Sequence, residues 1–216
     1  RVAEAIAKAK EMIHVCIATA RPLSEAKPIM KHLKLSGPCV VTNGTQIYDP
    51  VLDTILDEVL IPKEIPPKVN KLCKRYNLAA YCYDGQEDHA YHEGAEFEKV
   101  LGIYIPQIDP GRINELIKVF SLDPRIHVAK LYALDKRFMC MDITSSEATK
   151  LHGIVKVAKI LDIKTEDIIG VGDGYNDFPL LMACGLKIAM GNAVPELKAI
   201  ADFVAPTVDE DGVAIV

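Results

Sequence analysis

Asp173 stands between two glycines in Gly172-Asp173-Gly174-Tyr175-Asn176-Asp177, and a second carboxylate, Asp177, follows about one helical turn later. Two carboxylates and an amide in so short a stretch suit a hard cation such as magnesium, which takes oxygen ligands and keeps several of its waters. Part of the set also has a plainer role, because Asn176 and Asp177 are good helix caps and an acid gains from the positive end of the helix dipole. Capping explains one carboxylate but not Asp173, which precedes the helix. The elements that must hold these groups are readable on either side. Ile168-Ile169-Gly170-Val171 suits a strand buried on both faces, Gly172 and Gly174 let the backbone turn sharply, and Leu180 and Leu181 belong to a helix. Asp173 then lies at the carboxyl end of a strand, where ligands bind in open α/β sheets.

A second strand end carries a hydroxyl and a cation. Ile13-His14-Val15-Cys16-Ile17-Ala18 is β-branched and apolar and runs into Thr19-Ala20-Arg21-Pro22, where Pro22 suits the first turn of a helix reaching Leu33. Arg21 at a helix amino end opposes the dipole unless an anion occupies the same place. Thr19 therefore reads either as a simple cap or, with Arg21, as part of a phosphate site. A strand from Pro38 to Thr42 completes a β-α-β unit and leads into Asn43-Gly44, a hairpin signal before Gln46-Ile47-Tyr48 and equally a candidate for the site. Lys150 precedes a helix bearing Ile154, Val157, Ala158 and Leu161, which returns the chain to the Asp173 strand. A lone lysine ahead of a helix is ordinarily solvated; the topology is what brings this one to the same sheet edge.

Composition bounds the rest. The 216 residues suffice for one large domain or two smaller ones, half of them are apolar, and a quarter are charged, as in an ordinary globular protein. A net charge of -5 without a lysine or arginine tract gives no nucleic-acid footprint. No apolar run approaches the roughly 18 residues of a membrane helix. Cys16, Cys39, Cys73, Cys82, Cys140 and Cys184 are scattered without a Cys-x-x-Cys pair and read as reduced, buried thiols of a cytoplasmic protein. From about Asp49 the character changes, and Ile61-Pro62-Lys63-Glu64-Ile65-Pro66-Pro67 stiffly connects to a helix bearing Val69, Leu72, Cys73 and Tyr76. Strands are expected at Leu78 to Tyr83, Gly102 to Ile105, His127 to Leu134 and Arg137 to Ile143, with a helix from Arg112 to Phe120; this is an α+β insert with an antiparallel sheet. His89 and His92 have the residue types of a metal site without its spacing and read as a polar loop, though their place in the insert also admits substrate contact. After the Asp173 motif a strand over Leu186 to Met190 and a short helix with Glu196, Leu197 and Ile200 are expected. The chain starts inside an amphipathic helical pattern of Val2, Ile6 and Ala9 and stops at Val216, and both ends read as cut.

Thr19-Ala20-Arg21-Pro22, Lys150 and Gly172 to Asp177 resemble the second, third and fourth motifs of haloacid dehalogenase superfamily phosphatases of the Cof-like group. The likeness covers nearly the whole chain, with Asn43-Gly44, Met190-Gly191-Asn192 and Asp211-Gly212-Val213 where the family has similar residues. Ala20 and Leu151 depart from it, each replacing a usual glycine. The resemblance implies an α/β fold: a Rossmann-like parallel-sheet core of residues 1–48 and 149–216, with an α+β cap domain, residues 49–148, inserted between them. It also implies a magnesium-dependent phosphatase that hydrolyses small phosphorylated metabolites, such as sugar phosphates or phosphoglycolate, through an aspartyl-phosphate. In that scheme Thr19 donates to a phosphate oxygen and Lys150 is a point charge against it. Asp173 binds the metal directly, and Asp177 belongs to the metal site with it, orienting Lys150 or a metal-bound water. Arg21, Asn43, Gly44 and Asn176 are substrate contacts. The family's first motif, Asp-x-Asp-Gly-Thr, supplies nucleophile and general acid and is expected upstream of residue 1, so residues 1–216 alone are expected to be inactive. Other readings stay open: a phosphomutase of the same superfamily, the phosphorylation domain of a cation-pumping ATPase, or a non-catalytic phosphosugar-binding module.

Overall fold

The apolar patterns fold into two compact units in a computed structural model that describes residues 1–92, 94–133 and 135–216: Arg1–Asp57 with Lys150–Val216, and Glu58–Thr149. The fold is α/β, with both parallel and antiparallel sheets. No helix among the described residues is long and apolar enough to cross a membrane.

In the first unit the opening helix, Val2–Ala9, lays Ile6 against a cluster of Ala26, Met30, Leu35, Cys39, Val41 and Tyr48. Ile13 to Ala18, expected as a strand, is registered only at Ala18, which bridges Val40 in parallel. Val40 N–H donates to the Ile17 carbonyl at 2.7 Å and Thr19 N–H to the Val40 carbonyl at 2.9 Å. The next donor along that edge belongs to Pro38, which has no N–H, so the ladder stops. Pro22 caps the Leu23–His32 helix from outside, with an extended ψ of 157°, rather than sitting in its first turn.

Cys39–Val41 and Gln46–Asp49 form an antiparallel hairpin, with Val41 opposite Gln46. A third strand, Thr54–Glu58, hydrogen-bonds beside the second, and the unit runs to Asp57 where the sequence suggested a break after residue 48. Nothing in the composition announces that strand, because Ile55 and Leu56 remain exposed. The chain returns with the Lys150–Ile160 helix and then a parallel sheet of Ile169–Gly172, Leu186–Ala189 and Phe203–Val204, connected through helices Phe178–Ala183 and Pro195–Ile200. The last strand has two exposed residues and was not legible in the sequence. Val40, Ile154, Val157, Leu181, Ile188 and Leu197 form the core beneath these elements.

The second unit is a five-stranded antiparallel sheet in the order Asp88–Ala90, Tyr81–Tyr83, Gly102–Ile108, Met139–Ser145, Ile126–Tyr132. Its helices are Ile65–Tyr76, closed by left-handed Asn77, and Ile113–Phe120. Leu116 and Phe120 are buried side chains of the Ile113–Phe120 helix, each burial contributing about 1.5–3 kcal/mol. Met139–Ser145 and Ile126–Tyr132 pair through seven residues each, from Ile126 opposite Ser145 to Tyr132 opposite Met139. The expected end of that strand at Leu134 lies outside the described residues. Asp88–Ala90, expected as loop, is an edge strand: Tyr81 opposes Ala90, so a neighbour supplies the pairing that three polar or small residues do not advertise.

Candidate active site

Gly172 closes its strand where nothing larger fits, since a Cβ there would lie 2.5 Å from the Asp177 Cβ. That close approach folds Asp177 back over the turn. Its Oδ2 accepts the backbone N–H groups of Asp173 and Gly174, each at 2.9 Å, and its Oδ1 accepts Lys150 Nζ at 2.5 Å. Both side chains are buried, 5% and 7% exposed for Lys150 and Asp177. Two charges withdrawn from water to this degree persist only when paired and hydrogen-bonded, and Asp177 supplies both conditions. Capping thus describes one of its oxygens and the lysine takes the other.

Lys150 is carried in by its helix. A Cβ on Gly153 would sit 2.5 Å from Val40 Cγ1, so the helix packs directly on the Cys39–Val41 strand. Lys150, three residues earlier, lies on the same helix face. The lysine that isolated sequence reading would leave in solvent is a core residue here.

The remaining groups join through short polar links. Asn43 N–H donates to the Thr19 carbonyl and Thr42 N–H to the Arg21 carbonyl, both at 3.0 Å. Asn176 Nδ2 donates to Asn43 Oδ1 at 3.0 Å, tying the hairpin turn to the Asp173 motif across 133 residues of sequence. Asn192 Nδ2 donates to Asp173 Oδ2 at 3.0 Å, while its own Oδ1 accepts Val208 N–H at 2.9 Å. Thr19 Oγ1 accepts Arg21 N–H at 3.1 Å. Thr19, Asn43, Gly44, Lys150, Asp173, Asn176 and Asp177 therefore gather within one unit. The Arg21 side chain does not join them; exposed, it pairs with Glu25 at 3.2 Å.

Sequence reading noted Met190-Gly191-Asn192 as a stretch the family shares without giving Asn192 a role at the site, and gave Thr42 none. The available signal was a parallel between Asn43-Gly44 and Gly191-Asn192, each an amide and a glycine one residue beyond the end of a strand.

As a metal ligand set, the donors fit magnesium's modest demand for one or two carboxylates plus waters and substrate oxygens. Asp173 is exposed and has one carboxylate oxygen on Asn192, leaving it a ligand for a partly hydrated ion. Both Asp177 oxygens already accept hydrogen bonds, Oδ1 from Lys150 and Oδ2 from the two turn amides.

His89 accounts for itself differently. Its Nε2 lies 2.8 Å from Asp84 Oδ2, and that hydrogen bond raises the imidazole above its ordinary value. Burial pushes Asp84 up, but the Glu87 and Gln86 amides together with His89 outweigh it and hold the carboxyl at about 2. Among the described residues no group of three or more His, Cys, Asp or Glu side chains could hold a metal.

The full sequence matches the family described as haloacid dehalogenase-like hydrolase, over residues 1–108 and 86–216. The chain belongs to that family. YhaX, a stress response protein of Bacillus subtilis strain 168, is 40% identical over 235 residues, covering 95% of this chain and 80% of YhaX. YkrA of the same strain is 34% identical over 129 residues, a match spanning 60% of this chain and 45% of YkrA, less than half the relative's length. YcsE, a 5-amino-6-(5-phospho-D-ribitylamino)uracil phosphatase of that strain, is 25% identical over 210 residues, 94% of this chain and 80% of YcsE. The solved structure of the sugar phosphatase BT4131 superposes with a TM-score of 0.78 at 21% identity, over 99% of this chain and 88% of BT4131, which establishes the shared haloacid dehalogenase fold.

Proposed function

We propose that this chain carries the phosphate- and metal-handling part of a magnesium-dependent phosphatase acting on small phosphorylated metabolites. The observation that carries the reading is the buried Lys150–Asp177 pair, locked by Asp177 to the amides of the Asp173 turn. A desolvated ammonium held by its own carboxylate is a fixed point charge, suited to neutralising a phosphoryl group during transfer. Thr19 donates its hydroxyl to a phosphate oxygen, and Asn43 and Asn176, held together by their amides, contact the substrate. Magnesium, when bound, would be held by Asp173 and would neutralise charge on the phosphate oxygens. Asn192 fixes the Asp173 carboxylate, and Asp177 keeps Lys150 oriented. The second unit acts as the cap, excluding water and choosing the leaving group. Phosphatases among the relatives support the chemistry.

Nucleophile and general acid belong to an Asp-x-Asp-Gly-Thr motif that residues 1–216 do not contain. The reading therefore predicts no turnover by residues 1–216 alone. Protein from the complete reading frame should release phosphate from p-nitrophenyl phosphate only with magnesium, and Asp173→Asn should lower kcat/KM at least about a hundredfold, on the order of a single electrostatic contact in a transition state. Equal turnover in the presence of a metal chelator would retire it.

A further inference from the structure

Asn43 and Gly44 make a left-handed turn of the kind that closes hairpins, with φ of 55° and 107° and Thr45 N–H donating to the Thr42 carbonyl at 3.1 Å. A hairpin needs nothing more. Yet Thr42, the residue ahead of the turn, is itself left-handed at φ 49°, a conformation costly for any β-branched side chain. Its hydroxyl is buried without a partner among the described residues, as is that of Thr45. Each orphaned hydroxyl adds a desolvation cost.

The strained residue redirects a donor. In an ordinary two-residue hairpin the N–H of the residue before the turn pairs back across its own hairpin; here Thr42 N–H leaves the hairpin for the Arg21 carbonyl at 3.0 Å, and Asn43 N–H takes the Thr19 carbonyl at 3.0 Å. Because C=O and N–H of a trans peptide point in opposite directions, holding the Thr19 carbonyl against the turn aims the Ala20 N–H away from it. Among the described residues no acceptor pairs with that Ala20 N–H. Arg21 N–H is bonded to Thr19 Oγ1.

We propose that Thr42 is a positioning residue for the Thr19-Ala20-Arg21 loop: its left-handed backbone makes the hairpin turn a clamp that holds two loop carbonyls back and presents the Ala20 N–H to an anion. The proposal rests on the phosphate-handling reading of the same site. It makes Thr42 act through the backbone of its neighbours, without touching the ligand.

The test is titration of the protein with inorganic phosphate, followed residue by residue through amide chemical shifts, together with hydrogen exchange of the Thr42 and Asn43 amides. In the unaltered protein the Ala20 amide should shift saturably, and the Thr42 and Asn43 amides should be protected. Thr42→Pro removes the donor and cannot adopt a positive φ, so a folded variant should bind phosphate at least about tenfold more weakly and lose the Ala20 response. Thr42→Gly, which keeps the donor and adopts a positive φ without strain, serves if the proline variant does not fold. It should raise the melting temperature while the Ala20 response persists and phosphate affinity stays within about twofold. Thr45→Val is the control: it removes an orphaned hydroxyl outside the clamp, so the melting temperature should rise and phosphate affinity stay within about twofold.

A folded Thr42→Pro protein with undiminished affinity overturns the clamp, as does a folded Thr42→Gly protein that loses the Ala20 response or melts no higher than the original. Failure of the unaltered protein to bind phosphate at all, with both amides still protected, overturns the phosphate-handling reading instead, and this inference with it.

Discussion

The two units make their sheets in opposite ways. The insert has three strands of seven residues, Gly102–Ile108, Ile126–Tyr132 and Met139–Ser145, with Ile103, Ile105, Met141 and Ile143 essentially inaccessible. No strand of the first unit exceeds five residues, and its two sheets have three strands each. Lys150 and Asp177, the buried charged residues among those described, both lie in that first unit. Long ladders make a unit that hydrophobic burial can hold alone. Short strands multiply strand ends, and each end is a turn where backbone amides and polar side chains can be aimed. The first unit is therefore less continuous as a sheet and richer in places to put chemistry.

Lys150→Met should break this contrast most severely, because it strands the Asp177 carboxylate in the interior. The expected loss is about 3–5 kcal/mol of first-unit stability in urea unfolding, with much of it recovered in the double variant carrying Asp177→Leu. A single variant as stable as the original protein would mean that the pair is solvated in practice. Ile143→Ala is the counterpart in the insert: a loss of about 2–5 kcal/mol there from the cavity, with phosphate affinity within about twofold. A large change in affinity would show that the units do not divide stability from chemistry as described.

Gly172→Ala sharpens the contrast by disturbing geometry without removing a polar group. The new methyl meets Asp177 and should cost about 1–3 kcal/mol, and it should weaken phosphate binding by moving the carboxylate that holds Lys150. Unchanged binding would detach Asp177 from the site.

These sensitivities track what the residue order discloses. The Ile168 to Leu181 stretch announces strand, turn and helix because its apolar run, glycines and leucines are all local signals, and the insert's long strands are legible for the same reason. Lys150 is legible only through topology: its burial depends on Gly153 meeting Val40, a contact across 113 positions that no local pattern encodes. Asp88–Ala90 and Phe203–Val204 hide because their partners, not their own composition, make them strands. Arg21 shows the opposite case, since the Glu25 that pairs with it lies in the first turn of the helix that follows. Thr42 is invisible in sequence because a strained φ has no residue-type signature.

The smallest expected effect is in the insert. His89 is raised by Asp84 above its unfolded value of 6.5, so the stabilisation is fully present below that value and is lost as pH rises through the folded one. The Asp84 contribution is present above 3.8 and lost as pH falls toward about 2. His89→Gln should remove the alkaline-side loss; an NMR titration placing His89 at or below 6.5 would contradict the pairing.

The most direct test of the account is a crystal structure of the protein from the complete reading frame, grown with magnesium and inorganic phosphate. The account predicts a metal on the Asp173 carboxylate, with a phosphate held between it, Lys150 and Thr19, and with Asp177 still bonded to Lys150. Metal and phosphate bound away from these residues, or Lys150 turned outward from Asp177, would contradict it.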